Sequence, residues 1–206
     1  GPGHPFTTLV RFGQSDPGIN SQLHMGGPQL QHRALPGVIP EELPPGLVSA
    51  RFLPPINTGL GFLEAVPDAE ILAWADPSDS DGDGISGRPN LVYRKEYSPL
   101  RDGTFEVAGQ VLGRFGRKGS VYDLLQQTAT AYNQDIGVVS VFEPVDPHTL
   151  ELQDPEISTN TVQDVVFYLR TLKAPIQRDR DNPAVIEGEA LFERIGCGRC
   201  HRAELT

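Results

Sequence analysis

Between residues 159 and 173 the apolar positions Val162, Val165, Val166, Leu169 and Leu172 recur at steps of three and four, which gathers them on one stripe of a helix. Ser158 or Thr159 can cap that helix and Pro175 closes it. A second helix is predicted over Val121 to Asn133, with Val121, Leu124, Leu125 and Ala129 on its inner face. A short one runs from Asp68 through Ala75, capped by Asp68 after Pro67 and stopped by Pro77. A fourth covers Ala184 to Arg194, where Asn182-Pro183 supplies a cap and a first-turn proline. Only Thr8-Leu9-Val10-Arg11-Phe12 reads as a strand. Residues 1 to 60 are otherwise rich in Gly, Pro and Gln, with turns at Gly26-Gly27 and Pro44-Pro45-Gly46, and residues 174 to 183 form a charged linker. The fold class this predicts is mainly α with long irregular loops.

Composition sharpens the picture in two respects. With 22 glycines and 19 prolines among 206 residues, many connections between elements should be irregular. A formal net charge of −10 argues against nucleic acid and anionic membrane surfaces as partners. No apolar run is long enough to span a bilayer.

The chemistry concentrates near the C-terminus, in Cys197-Gly198-Arg199-Cys200-His201. A Cys-x-x-Cys-His run is the signature of c-type haem attachment: two thiols meet the two vinyl groups and the following imidazole reaches the iron. A redox pair would be expected between a strand and a helix, whereas this run follows a helix. Zinc would need further ligands from scattered residues such as His4, His24, His32 or His148, because the chain has only two cysteines. Covalent haem c is therefore the cofactor expected, with Cys197 and Cys200 as attachment points and His201 as iron ligand. In bacteria that attachment happens outside the cytoplasm, which predicts a periplasmic or exported protein. Five residues follow His201 and the chain opens on Gly1-Pro2-Gly3 without an initiator Met, so it reads as a fragment or processed piece.

Asp79-Ser80-Asp81-Gly82-Asp83-Gly84-Ile85 carries a second signal. Carboxylates at alternate positions followed by Gly match the first half of a calcium loop, with the Ile85 carbonyl as a further ligand. Asn90 stands where such a loop would place a bidentate Glu, so calcium and a solvated Asp/Gly turn are both open readings. The cations of Leu112-Gly113-Arg114-Phe115-Gly116-Arg117-Lys118 suit haem propionates or a basic surface turn. Met25, the single Met, is an axial-ligand candidate or core filler, and Trp74 reads as packing.

The segment Val185-Ile186-Glu187-Gly188-Glu189-Ala190-Leu191-Phe192 before the haem site resembles the first helix of a cytochrome c domain, with Gly188 and Phe192 at the matching positions. More broadly, Ser49 to Pro55, Gly59 to Pro67, Asp79 to Asn90, Gly113 to Gly116, Gln126-Gln127 with Asp135-Ile136-Gly137, and Cys197 to His201 occur in the order found in the di-haem oxidoreductases, or thiol oxidoreductases. These are related to bacterial di-haem cytochrome c peroxidases. The resemblance implies a cytochrome c-like, mostly helical protein with an electron-receiving haem and a peroxidatic haem, the first attachment site lying upstream of Gly1. It implies a loop-rich helical region over 1–176 and the truncated start of a C-terminal cytochrome c domain over 177–206. Hydrogen peroxide as substrate and an electron-donor protein as partner follow from it. Glu64 is the candidate catalytic acid, in an apolar stretch where burial would raise its pKa, and Gln126, Gln127 and Arg114 are candidates for a haem edge. The rival functions are a simple electron-carrier cytochrome c, with a closed sixth iron position, and a structural piece that keeps only the calcium-like loop.

Overall fold

The computed structural model describes residues 9–13, 29–30, 32–34, 36–37, 39–43, 45–116, 118–147 and 149–204. Met25, His4, His24, His148, Arg117 and the Gly26-Gly27 turn lie outside them.

The body is organised by three helices around one apolar cluster. Helix α1 is Leu60–Ala65, α2 is Asp68–Leu72, α3 is Leu124–Ile136 and α4 is Thr159–Thr171. Phe115, Leu124, Leu125, Val162 and Val166 form the buried cluster, with Leu60, Tyr97, Val121, Tyr132, Phe142, Ile157 and Leu169 packed against it. The predicted α4 stripe thus does face the core, and its Ser158 cap accepts from the Thr161 N–H at 3.1 Å. Helix α3 begins at Leu124 rather than Val121, because Asp123 takes the cap position and accepts from the Gln126 N–H at 2.7 Å, while Val121 bridges to Phe115. It ends at Gly137, whose φ of 68° sets the left-handed turn that lets Val138 N–H reach the Tyr132 carbonyl at 2.9 Å. Helix α2 is shorter than predicted: Pro67 caps it, and from Trp74 onward the amides bond three residues back, to Ile71 and Leu72.

Two small antiparallel sheets flank the helices. Strands β1 (Leu9–Gly13), β2 (Gln29–Leu30) and β3 (Val48–Phe52) pair in the order β2-β1-β3, with Leu9 opposite Phe52. Strands β4 (Leu91–Tyr93), β5 (Glu106–Val107) and β6 (Gln110–Leu112) pair in the order β4-β6-β5, with Leu91 opposite Leu112. The mainly α, cytochrome c-like expectation is therefore overturned: helix accounts for 30% and strand for 12%, and both sheets are part of the fold. The reason is local. These strands are two to five residues long and β3 is exposed at four of its five positions, so no alternation of apolar and polar residues announced it.

Helix α1, absent from the sequence expectation, is held by a close crossing. A Cβ on Gly61 would stand 2.1 Å from the Arg170 carbonyl oxygen of α4, so only glycine permits the approach. The Gly59 N–H also donates to the Leu172 carbonyl at 3.2 Å, which ties the start of α1 to the end of α4.

Two outcomes follow. Gly61→Ala should lower unfolding stability by about 1–3 kcal/mol in urea melts, since α1 must move off the α4 backbone. Burial pushes the Asp123 carboxyl above its ordinary range, against the opposing pull of Gln126 N–H and the Ser98 hydroxyl. The folded state therefore keeps that proton longer than the unfolded chain, so this group's contribution is present at low pH and is lost as pH rises through its raised pKa. Asp123→Asn keeps the cap and removes the titration. The stability difference between wild type and Asp123→Asn, measured by denaturant melts across the acid range, should turn against wild type as pH rises.

Candidate functional site

The Cys-x-x-Cys-His residues sit on one compact turn. Helix α5, Pro183–Arg194, is capped by Asn182, whose side chain accepts from the Ala184 N–H at 2.9 Å. It ends at Gly196, whose φ of 87° turns the chain into a 3-10 turn over Cys197–Arg199. The amides of Cys200 and His201 both donate to the Cys197 carbonyl, at 3.2 and 3.0 Å, so the two thiols and the imidazole leave a single turn. Cys197 and Cys200 are free thiols.

His201 borders an open groove of about 410 Å³ lined by Val185, Gly188, Phe192 and Arg202. Val185, Gly188 and Phe192 share one face of α5, and nothing lies within 4 Å of where a Gly188 Cβ would be. The Phe192 ring meets the His201 ring edge-on, with centroids 5.8 Å apart at 64°. No residue of α5 is buried, and Ile186, Leu191 and Phe192 are 54%, 42% and 40% exposed. The open apolar strip of Val185, Gly188 and Phe192 beside the imidazole suits a flat, apolar, iron-bearing ring, with Glu189 and Glu193 also on the groove's wall. Zinc is less well served: among the described residues, Asp79, Asp81 and Asp83 are the group of three or more metal-type side chains that converge, and His32 does not join the cysteines.

That acidic loop lies next to the haem-type turn. Its three carboxylates bring oxygens within 4.8 Å of one another. They also accept from the loop's own amides: Asp79 from Gly84 at 3.0 Å, Asp81 from Asp83 at 3.1 Å, and Asp83 from Ile85 at 2.8 Å. Asp76 accepts from the Ser80 amide and hydroxyl, which hold its carboxyl below the ordinary range. Arg199, between the two cysteines, donates to the Asp83 carbonyl at 2.8 Å.

A family model described as "Di-haem oxidoreductase, putative peroxidase" matches residues 47–149 and 142–206. The chain belongs to the di-haem oxidoreductase family. No curated protein and no solved structure matches it. The matched stretch takes in both the body of the fold and the Cys-x-x-Cys-His turn.

The remaining candidates belong to the body of the oxidoreductase. Glu64 ends α1 with a nearly buried side chain; one oxygen accepts from the Leu124 N–H at 2.8 Å and the other from Arg170 Nε at 2.5 Å. It thereby joins the α3 N-terminus to α4, and its own backbone carbonyl accepts from Arg101 at 2.9 Å. Arg114 is only 3% exposed and ion-paired with Asp68, which also accepts from the Phe105 N–H at 2.7 Å. Its second nitrogen donates to the Leu63 carbonyl at 2.8 Å. Gln126 is buried and accepts from the Tyr122 N–H, while Gln127 Oε1 and Arg114 Nε are buried without a partner. The basic run thus turns Arg114 inward to a carboxylate of the chain and leaves Lys118 exposed.

Sequence reasoning missed Asp68 as a buried anion and Arg199 as a docking residue. The first had a signal: an Asp directly after Pro67, at the start of α2, with an arginine in a Gly-Arg-Phe-Gly turn. Asp68→Asn should cost about 3–5 kcal/mol, because it strands the buried Arg114 charge, and urea melts of the variant will show the loss.

Proposed function

We propose that this di-haem oxidoreductase carries a c-type haem on Cys197 and Cys200, with His201 as its proximal ligand, and passes electrons in peroxidase-like chemistry. The observation that supports the reading is the single turn that bears two free thiols and the His201 imidazole, with His201 at an open groove whose wall includes Val185, Gly188 and Phe192. When bound, the haem would supply one-electron chemistry and, with an open iron position, a place to reduce hydrogen peroxide.

The chain's own residues have separable tasks in this reading. The thiols would fix the ring to the turn that follows α5, and Phe192 packs against His201, which sets the imidazole plane. Val185, Gly188 and Phe192 of α5 would give a bound haem an apolar surface on one side of the groove. Reducing peroxide to water takes two electrons and two protons, so an electron-donor protein and an acid are also needed. Glu64 is the acid candidate; both its oxygens act as acceptors here, so delivering a proton requires Arg170, 45% exposed, to swing aside. Maturation of such a haem fits a periplasmic or exported protein. Among the described residues no helix is long and apolar enough to cross a membrane. Within the same reading, residues 177–206 are the start of a cytochrome c domain appended to 1–176, and Asp79, Asp81, Asp83 and the Ile85 carbonyl hold a structural calcium ion.

Expression in the periplasm of a host with haem-attachment machinery tests the central claim. Wild type should give a pyridine haemochrome spectrum of the c type, and Cys197→Ser, Cys200→Ser should lose it. A high-spin ferric spectrum would favour peroxide chemistry, and a low-spin one the electron carrier. Absence of covalent haem in wild type would remove the redox reading from this chain.

A further inference from the structure

The segment that bears the cysteines touches the body through two cations. Arg199 donates to the Asp83 carbonyl at 2.8 Å, and its Nε lies 3.7 Å from the Asp83 carboxylate. Three residues on, the Arg202 guanidinium stands 5.6 Å from the centre of the Trp74 ring. Asp83 belongs to a loop that the Asp76 N–H closes by donating to the Gly87 carbonyl at 3.0 Å, and Trp74 stands just before that neck, its carbonyl oxygen 3.3 Å from where a Gly87 Cβ would be. The loop itself is held rigid by the carboxylate bonds to Ser80, Gly84, Asp83 and Ile85. One arginine of the cysteine turn therefore grips the negatively charged loop, and a second, three residues on, meets the residue at the foot of the loop's neck.

We propose that Arg199 and Arg202 are positioning residues that clasp the haem-attachment turn to the segment 74–87, so that the loop's carboxylates set the electrostatic environment of the haem iron. This rests on the haem reading above. Arg199 is suited to the task because it lies between the two thiol attachment points, so its anchor fixes both. Its partner is partly a backbone carbonyl, which does not vary with protonation. Carboxylates held at a fixed distance favour the more positive ferric iron, so the loop lowers the reduction potential. A loose segment would average that field away.

The test has two arms. In the chain without haem, Trp74 is the single tryptophan, and acrylamide quenching of its emission reports its cover. Arg202→Gln should raise the quenching constant by removing the cation over the ring. Arg199→Gln, which does not touch Trp74, should raise it by about a half or more if the two contacts act as one clasp. Arg199→Lys should restore most of the protection. Unchanged quenching in Arg199→Gln would overturn the clasp, and since Arg199 is 53% exposed its replacement spares the core. In the haem-loaded chain at low ionic strength and with EDTA present, so that no calcium neutralises the loop, Asp81→Asn should raise the midpoint potential by optical redox titration. In the Arg199→Gln, Arg202→Gln background that shift should fall to less than about half. An equal shift in both backgrounds, or none in wild type, would overturn the electrostatic role. Failure of wild type to take up haem would sink the redox reading instead, and the Trp74 arm would still decide the clasp.

Discussion

Asp68 and Arg114 lie almost wholly out of water, and a charge so placed is tolerable only beside its opposite and with its remaining hydrogen-bond positions filled. Asp68 sits at the first turn of α2, Arg114 follows β6, and the two also engage Phe105 N–H and the Leu63 carbonyl. One ion pair thus brings the end of α1, the start of α2, the second sheet and the segment before β5 to a single point. Whether such a pair adds net stability over an apolar substitute is a separate matter, but it admits few alternative arrangements. Glu64 repeats the device nearby, tying α1 to the α3 N-terminus and to α4. With Gly61 allowing α1 to touch the α4 backbone, the polar links and the apolar cluster of Leu124, Leu125, Val162 and Val166 reinforce one geometry.

The C-terminal segment is built on different physics. Helix α5 is well capped and therefore forms locally, yet it buries none of its apolar side chains. What joins it to the body is electrostatic and aromatic: Arg199 on Asp83 and Arg202 on Trp74. Such contacts are individually worth little at an exposed surface. Their value lies in direction, because they orient the thiol-bearing turn while leaving the apolar groove beside His201 open. The body is thus fixed by buried charge and an apolar cluster, whereas the cysteine turn is held only by surface contacts.

The elements that could be read from the chain were those whose signal is local. The α4 stripe of Val162, Val166 and Leu169, the Ser158 cap, and the Asn182-Pro183 start of α5 each depend on neighbours within a turn or two. Strand β1 was legible as well, at Leu9–Gly13 against the expected Thr8 to Phe12, whereas the other strands were hidden for equally physical reasons. The hairpin β5–β6 turns on Ala108 and Gly109, both at positive φ, 52° and 76°. Alanine is rarely found there, so the Asn-Gly or Asp-Gly signal that marks such turns was missing. In β1 and β3, pairing comes from the partner backbone rather than from any apolar face of Val48–Phe52.

The chemistry divides along the same line. By itself the sequence determined that Cys197, Cys200 and His201 stand together, because one turn of contiguous chain carries all three, and the order of its motifs determined the family. It also determined the alternating carboxylates of the Asp79 loop. Only the tertiary structure decided that Arg114 points inward to Asp68, that Glu64 bridges two helices, and that Arg199 reaches across to Asp83, since each partner lies from about 46 to 116 residues away along the chain. Over such separations no periodicity or spacing reports contact; the pairing is chosen by the burial of charge and the close approach of backbones, which exist only once the chain has folded.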